Sequence, residues 1–299
     1  MTKKTLIAAI VLMAAALPAS AQFGGILNKL QNPGNLINLA PSAPANNTGD
    51  VFQLLSESLD KIDEPREIEI GRQLASLLLG SKPLHPDMAL QRYVNRLGRW
   101  ISLQSSRPQL PWTFGVLDDA GFNAFAAPGG YIFVTKGLVD RVDEAELAGI
   151  LAHEITHVTD KHHLKALRAK ASTGLIAQAI GSQVRGAAAG LVSQHAVALF
   201  RSVYSSGLDQ GDEFDADRSG VALAARAGFD PYGLAAVLQQ LRTAAPDNPL
   251  FALSLSTHPP AQQRLDLLEQ AMGHRLDALS GKPSVRIAQR LAPAGTAKR

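Results

Sequence analysis

The 299 residues contain no cysteine. Disulfides, thiolate metal ligands and a cysteine nucleophile are therefore all excluded. Aromatic residues are scarce, at 5%, and no basic run is interleaved with them, so the pattern that tracks a nucleic-acid strand is missing. Apolar runs long enough for a bilayer are missing as well. Leu6 to Leu17 falls short of the roughly 20 residues that a span needs. The small-residue-rich stretch 171–204 is interrupted by Gln178, Gln183, Arg185, Gln194 and Arg201. No internal repeat is present, which excludes a scaffold built of stacked repeats.

With 46% hydrophobic residues, the chain can bury a sizeable core in one large or two small domains. Residues 1–21 read as a secretory signal. Lys3 and Lys4 form the basic start, Leu6 to Leu17 the apolar middle, and Ala19-Ser20-Ala21 a cleavage site before Gln22. Cleavage after Ala21 removes two of the positive charges behind the formal +3, leaving too little net charge to argue for nucleic acid. No cysteine follows the site to carry a lipid, so the expected product is exported and soluble, in a bacterial periplasm. A peripheral membrane contact stays open. Residues 22–49, rich in Asn, Pro, Gly and Ala, read as a flexible leader, 50–281 as the folded domain and 282–299 as a disordered basic tail.

The organising stretch is Val142 to His163. Asp143 followed by Glu146 predicts a capping box and a helix start. Leu147, Leu151, Ile155 and Val158 then recur as one apolar stripe, with His153 and His157 one turn apart on a different face. Two imidazoles so spaced can hold one Zn²⁺, with Glu154 beside them in reach of a water on the metal.

Around this helix the pattern predicts mostly helices. One helical stretch spans Val51 to Leu79, broken at Asp63-Glu64-Pro65 and closed by Gly80. Another opens at Pro86 and buries Leu90, Tyr93, Val94 and Leu97. Trp112 to Leu117 alternates like a strand. Phe122 to Ala127, a Pro128-Gly129-Gly130 turn and Tyr131 to Thr135 read as a hairpin. Pro128 favours a sheet edge, and an edge strand beside the histidine helix, through Asn123, Ala124, Phe125 and Ala126, could hold an extended peptide. An ordinary packed hairpin explains the stretch equally well. Residues 171–204 suggest a helical hairpin able to cover the site, with His195 structural. Further helices are expected from Asp212 to Ala227, stopping at Gly228, and from Pro231 to Leu241. A third follows a turn and N-cap at Ser256 to Pro260 and carries Arg264, Leu265 and Leu268.

A catalytic zinc takes three protein ligands and leaves one position for water. Glu213 and Asp217 share a helix face, so one can ligate while the other orients a ligand histidine. His163, six residues after His157, competes for the third place. That alternative wants a glycine where Asp160 stands, to turn the chain sharply, so Glu213 is preferred.

At these positions the sequence resembles the HExxH zinc metallopeptidases that include HtpX and the CAAX prenyl protease, and above all their soluble periplasmic BepA/LoiP-like branch. The shared residues are Asn123-Ala124-Phe125-Ala126 with Pro128-Gly129-Gly130, His153-Glu154-x-x-His157, Glu213-x-x-Ala216-Asp217, and His258-Pro259 followed by Arg264. The resemblance covers residues 50–281. It implies an α+β, mostly helical zincin fold with an active-site helix, a small sheet with an edge strand, and a second ligand helix. It implies His153, His157 and Glu213 as ligands of one Zn²⁺, Glu154 as the catalytic glutamate and Asp217 as the carboxylate behind a ligand. Membrane spans and a tetratricopeptide domain, present in some relatives, are absent from this sequence.

The expected activity is zinc-dependent endopeptidase cleavage of unfolded or misassembled polypeptides, outer-membrane proteins among them, with those proteins and their assembly machinery as partners. In that scheme His258 steadies the oxyanion with Arg264 positioning it or the substrate, or His258 fills the open zinc position and holds the enzyme latent, or it merely caps a helix. Two other classes remain open. One is a chaperone or assembly factor with little proteolysis; the other is a structural zinc with a closed shell.

Overall fold

The computed structural model describes residues 62–172, 207–245 and 247–292. The signal, the leader, the helical pattern before Ile62 and residues 173–206, with the expected covering hairpin and His195, lie outside them.

Helix α1 (Glu64–Ser81) starts where the sequence breaks, because Asp63 accepts the Arg66 amide at 3.1 Å and Pro65 sits in the first turn. It passes Gly80 by one residue. Helix α2 (Met88–Ser102) starts after Asp87, whose carboxylate takes the Ala89 and Leu90 amides. Pro86 only precedes that cap. Strands β1 (Thr113–Leu117), β2 (Ala124–Ala127) and β3 (Tyr131–Thr135) form a sheet in the order β1-β3-β2, with β1 parallel and β2 antiparallel to β3. The hairpin is the expected one. Gly129 and Gly130 take φ of 75° and 102°, a left-handed turn that side chains resist, and Pro128 leaves β2 at the sheet margin.

After a short helix α3 (Lys136–Val139) comes α4 (Glu144–Thr159), which carries the histidines. Its capping box is complete: Asp143 accepts the Glu146 amide at 2.9 Å and Glu146 accepts the Asp143 amide at 2.8 Å. The stripe of Leu147, Leu151, Ile155 and Val158 is buried, but so is every other residue from Leu147 to Val158. The histidine face is therefore not a surface. Helix α5 (His162–Ser172) follows, and α6 (Gln210–Arg226) and α7 (Gly233–Thr243) pack on α4 beside α2 and β2. Close packing of α6 depends on Gly220, where a Cβ would stand 2.8 Å from the His153 amide nitrogen. Glu213, Asp217 and Gly220 share one face of α6, so the contact that needs the glycine also carries the acids to the histidines. Helix α6 begins two residues before Asp212, capped by Asp209.

Two stretches depart from expectation. Ser256 and Thr257 end a short helix α8 (Ala252–Thr257), and α9 (Ala261–Met272) starts with no side-chain cap. His258 thus caps nothing at the start of α9; its ring turns back to the Ser254 carbonyl at 3.1 Å and the Thr257 hydroxyl at 3.0 Å. The basic stretch from Lys282 is not disordered as far as Ala292. Ser284 Oγ accepts the Ala145 amide, Val285 O the Glu144 amide, and Arg286 bridges to Asp143. Ile287, opening α10 (Ile287–Leu291), is buried. These contacts satisfy amides in the first turn of α4 that the helix itself cannot pair, and one apolar side chain anchors the strap. Residues 293–299 lie outside the description. The domain is mostly helical with a small mixed sheet, and no helix among the described residues is long and apolar enough to cross a membrane.

Candidate metal centre

His153 and His157 aim at one point, their Nε2 atoms 2.9 Å apart. Glu213 reaches the same point from α6: Oε2 lies 3.7 Å from His153 Nε2 and Oε1 3.6 Å from His157 Nε2. His258 enters from the turn between α8 and α9, with Nε2 3.8 Å from Glu213 Oε2. Ligands of one tetrahedral ion at 2.0–2.2 Å stand about 3.3–3.6 Å from each other; the separations to Glu213 are close to that, the two Nε2 atoms are closer, and His153, Glu213 and His258 each offer a ligand atom within 4.8 Å of one another.

The electrostatics favour a cation. Among the described residues, Glu213 Oε2 is buried and accepts no hydrogen bond. Burial pushes the Glu213 carboxyl up to about 7 against the pull of His153 and Arg264. Burial also drives His157 well below the usual imidazole range and His258 down to about 3, with neighbouring cationic and imidazole groups adding to the effect. His157 and His258 are thus held neutral, with nitrogen lone pairs available, beside a carboxylate oxygen that lacks a donor. A divalent ion satisfies the whole set, and the N and O donors suit zinc.

Glu154, buried on the same helix, lines the cleft. Burial raises its carboxyl to about 8, opposed by Arg264. Asn123, Ala124, Phe125 and Ala126 line the same cleft as His157 and His258.

Each of the two α4 histidines has support at its other nitrogen. Asp217 Oδ1 lies 2.9 Å from His153 Nδ1. Arg264 grips that carboxylate with two bonds, Nε to Oδ2 at 2.8 Å and Nη2 to Oδ1 at 2.5 Å. Burial works to raise the Asp217 carboxyl, but Arg264 and His153 overcome it and hold it below the usual carboxylate range. This corrects the expectation for Arg264, which binds Asp217 rather than His258 and sits behind the cleft. At His157 the partner is His162, Nδ1 to Nδ1 at 2.9 Å, a residue the sequence reading passed over in weighing its neighbour.

His163 needs a second correction. The sharp turn exists without a glycine at 160, because Lys161 takes a left-handed φ of 59°. His163 therefore lies in the cleft lining, its ring 5.6 Å from that of His157, with burial first and then His162 lowering it to about 3. Glu213 still approaches both Nε2 atoms.

Helix α4 with its HExxH sequence, the acidic helix α6 and the marginal strand β2 thus meet at one cleft in a mostly helical domain. Residues 86–272 match Peptidase family M48. The chain belongs to that family of metallopeptidases. It is 30% identical over 206 residues to the beta-barrel assembly-enhancing protease of Escherichia coli K12, covering 67% of this chain and 42% of that one. It is 29% identical over 182 residues to a protease HtpX homolog of Salinibacter ruber, covering 50% and 64%. With the mitochondrial metalloendopeptidase OMA1 of Schizosaccharomyces pombe it shares 28% over 181 residues, covering 60% and 52%. The chain thus spans less than half the length of the E. coli protein it matches.

Proposed function

We propose that this chain is a zinc-dependent endopeptidase that cleaves unfolded or misassembled polypeptides. The observation that carries the reading is the buried Glu213 carboxylate between three imidazole nitrogens, with Glu154 on the same helix as two of them. His153, His157 and Glu213 would hold the ion. Zinc bound there supplies Lewis acidity, making a water a nucleophile near neutral pH and polarising a peptide carbonyl. Glu154 takes the proton of the attacking water and delivers it to the leaving amine. Its buried setting supports the second of these roles, because burial raises the carboxyl to about 8, so that it holds the abstracted proton until the amine leaves. Asn123 to Ala126 form the wall along which the substrate lies. Asp217, fixed by Arg264, keeps His153 turned towards the ion.

His258 Nε2 lies 3.8 Å from Glu213 Oε2 and its ring turns away from the start of α9, which supports the blocking role over the capping one. His258→Ala then raises cleavage of an unfolded substrate; a fall would favour oxyanion stabilisation. The printed name of the E. coli relative, a beta-barrel assembly-enhancing protease, supports substrates or partners in β-barrel assembly, and the signal expected at residues 1–21 supports a periplasmic location. The deciding experiment is proteolysis of casein. A chelator abolishes it, zinc restores it, and Glu154→Gln lacks it while still binding zinc. Cleavage that resists chelation overturns the reading.

A further inference from the structure

We propose that His162 is a positioning residue for the metal centre, fixing the tautomer and tilt of His157 as Asp217 does for His153. The inference rests on the metal-centre reading above and concerns residues that reading leaves unused. With His157 Nε2 turned to the ion, its one ring proton resides on Nδ1. That nitrogen faces His162 Nδ1 at 2.9 Å. One of the two must donate and the other accept, so His157 donates, His162 accepts, and the His162 proton sits on Nε2. On the far side of the His162 ring Asp212 Oδ1 lies 3.8 Å from Nε2, too far for a hydrogen bond but placed so that its charge favours a proton on that nitrogen. Asp212 is itself held by Lys165 Nζ at 2.6 Å, one turn further along α5. The proton positions on His157 and His162 both follow from the orientation of His157 Nε2.

The backbone is arranged to put His162 there. Lys161 is the one non-glycine with a positive φ among the described residues, and this residue reverses the chain so that the first residue of α5 folds back on α4. Its Nζ lies 3.3 Å from Glu67, a wholly buried carboxylate on α1. Glu67 also takes Arg107 at 2.8 and 3.0 Å and the Gly129 amide at 3.2 Å. The turn that delivers His162 is thereby tied to the hairpin turn beside the cleft. His162 is buried, and the two rings meet edge to face at 72°, so neither can swing without displacing the other.

Leu and Asn have nearly the same shape, and only Asn offers an oxygen that can accept the His157 proton. The test compares His162→Leu with His162→Asn in the full chain, reading Zn²⁺ affinity by competition with a fluorescent chelator and the unfolding midpoint of the metal-free protein. The expected result is zinc binding about 10- to 100-fold weaker in His162→Leu, largely restored in His162→Asn, with similar midpoints for the two. Zinc binding by His162→Leu as tight as wild type overturns the proposal. So does equal weakening in both variants, which would mark a packing role. If His162→Leu fails to fold, His162→Ala replaces it in the same comparison. Wild type that takes up no zinc at all overturns the metal centre and this proposal together, and it shows before any variant is compared.

Discussion

His153 and His157 are one turn apart on one helix, yet they are steadied by unlike means. The first leans on Asp217, whose charge is matched by Arg264 in a pair that is buried on both sides. The second leans on a neutral ring, behind which stand Asp212 and a lysine whose side chain is 64% exposed. The contrast follows from where each turn of α4 looks. The His153 turn faces α6 and α9, deep in the packing, where an unmatched charge is intolerable. The His157 turn faces the end of the helix, where the chain reverses and water is near.

The largest effect that tests this contrast comes from the buried pair. Arg264→Leu strands the Asp217 charge and lowers folding stability by about 3–5 kcal/mol, read by urea denaturation; a loss under about 1 kcal/mol would mean the two arms are alike. Next comes Asp217→Asn, which weakens zinc binding about 10- to 100-fold in a chelator competition. Its stability deficit depends on acidity in a defined direction. Folding depresses the Asp217 carboxyl, so its contribution is fully present above the unfolded value of about 3.9 and vanishes as pH falls through the lower folded value. The gap between wild type and Asp217→Asn therefore closes below about pH 4, and a gap that widens there would refute the assignment. Smallest is Lys165→Ala at the wet end of the other arm, with a change within about 0.5 kcal/mol in the same denaturation assay.

The parts of this molecule that a reader of the sequence could find are those written in short-range code. Asp143 with Glu146, the leucine stripe of α4, the Pro128-Gly129-Gly130 turn and the Glu213–Asp217 spacing each need only a few neighbouring residues to be understood, and each appears where expected. What escaped depends on partners far along the chain. The sequence marks Arg264 by its place after His258-Pro259, but nothing local shows that its partner is a carboxylate 47 residues earlier. Nothing local marks Gly220 as the point where two backbones touch. The left-handed Lys161 has no sequence cue, since glycine is the usual residue for that geometry, so His162 went unnoticed and His163 was expected to point away. The basic end looked disordered because the value of Ile287 and Ser284 lies in the first turn of α4, about 140 positions upstream.

That last stretch sets a practical limit. The likeness to Peptidase family M48 stops at Met272, and an engineer hunting for a minimal fragment would naturally cut there. Doing so discards Ser284, Val285 and Arg286, which plug the head of the histidine helix. Such a fragment keeps the Asp143–Glu146 box but leaves the Glu144 amide without its acceptor, so weak activity in it would speak of a loosened helix head before it spoke of the chemistry.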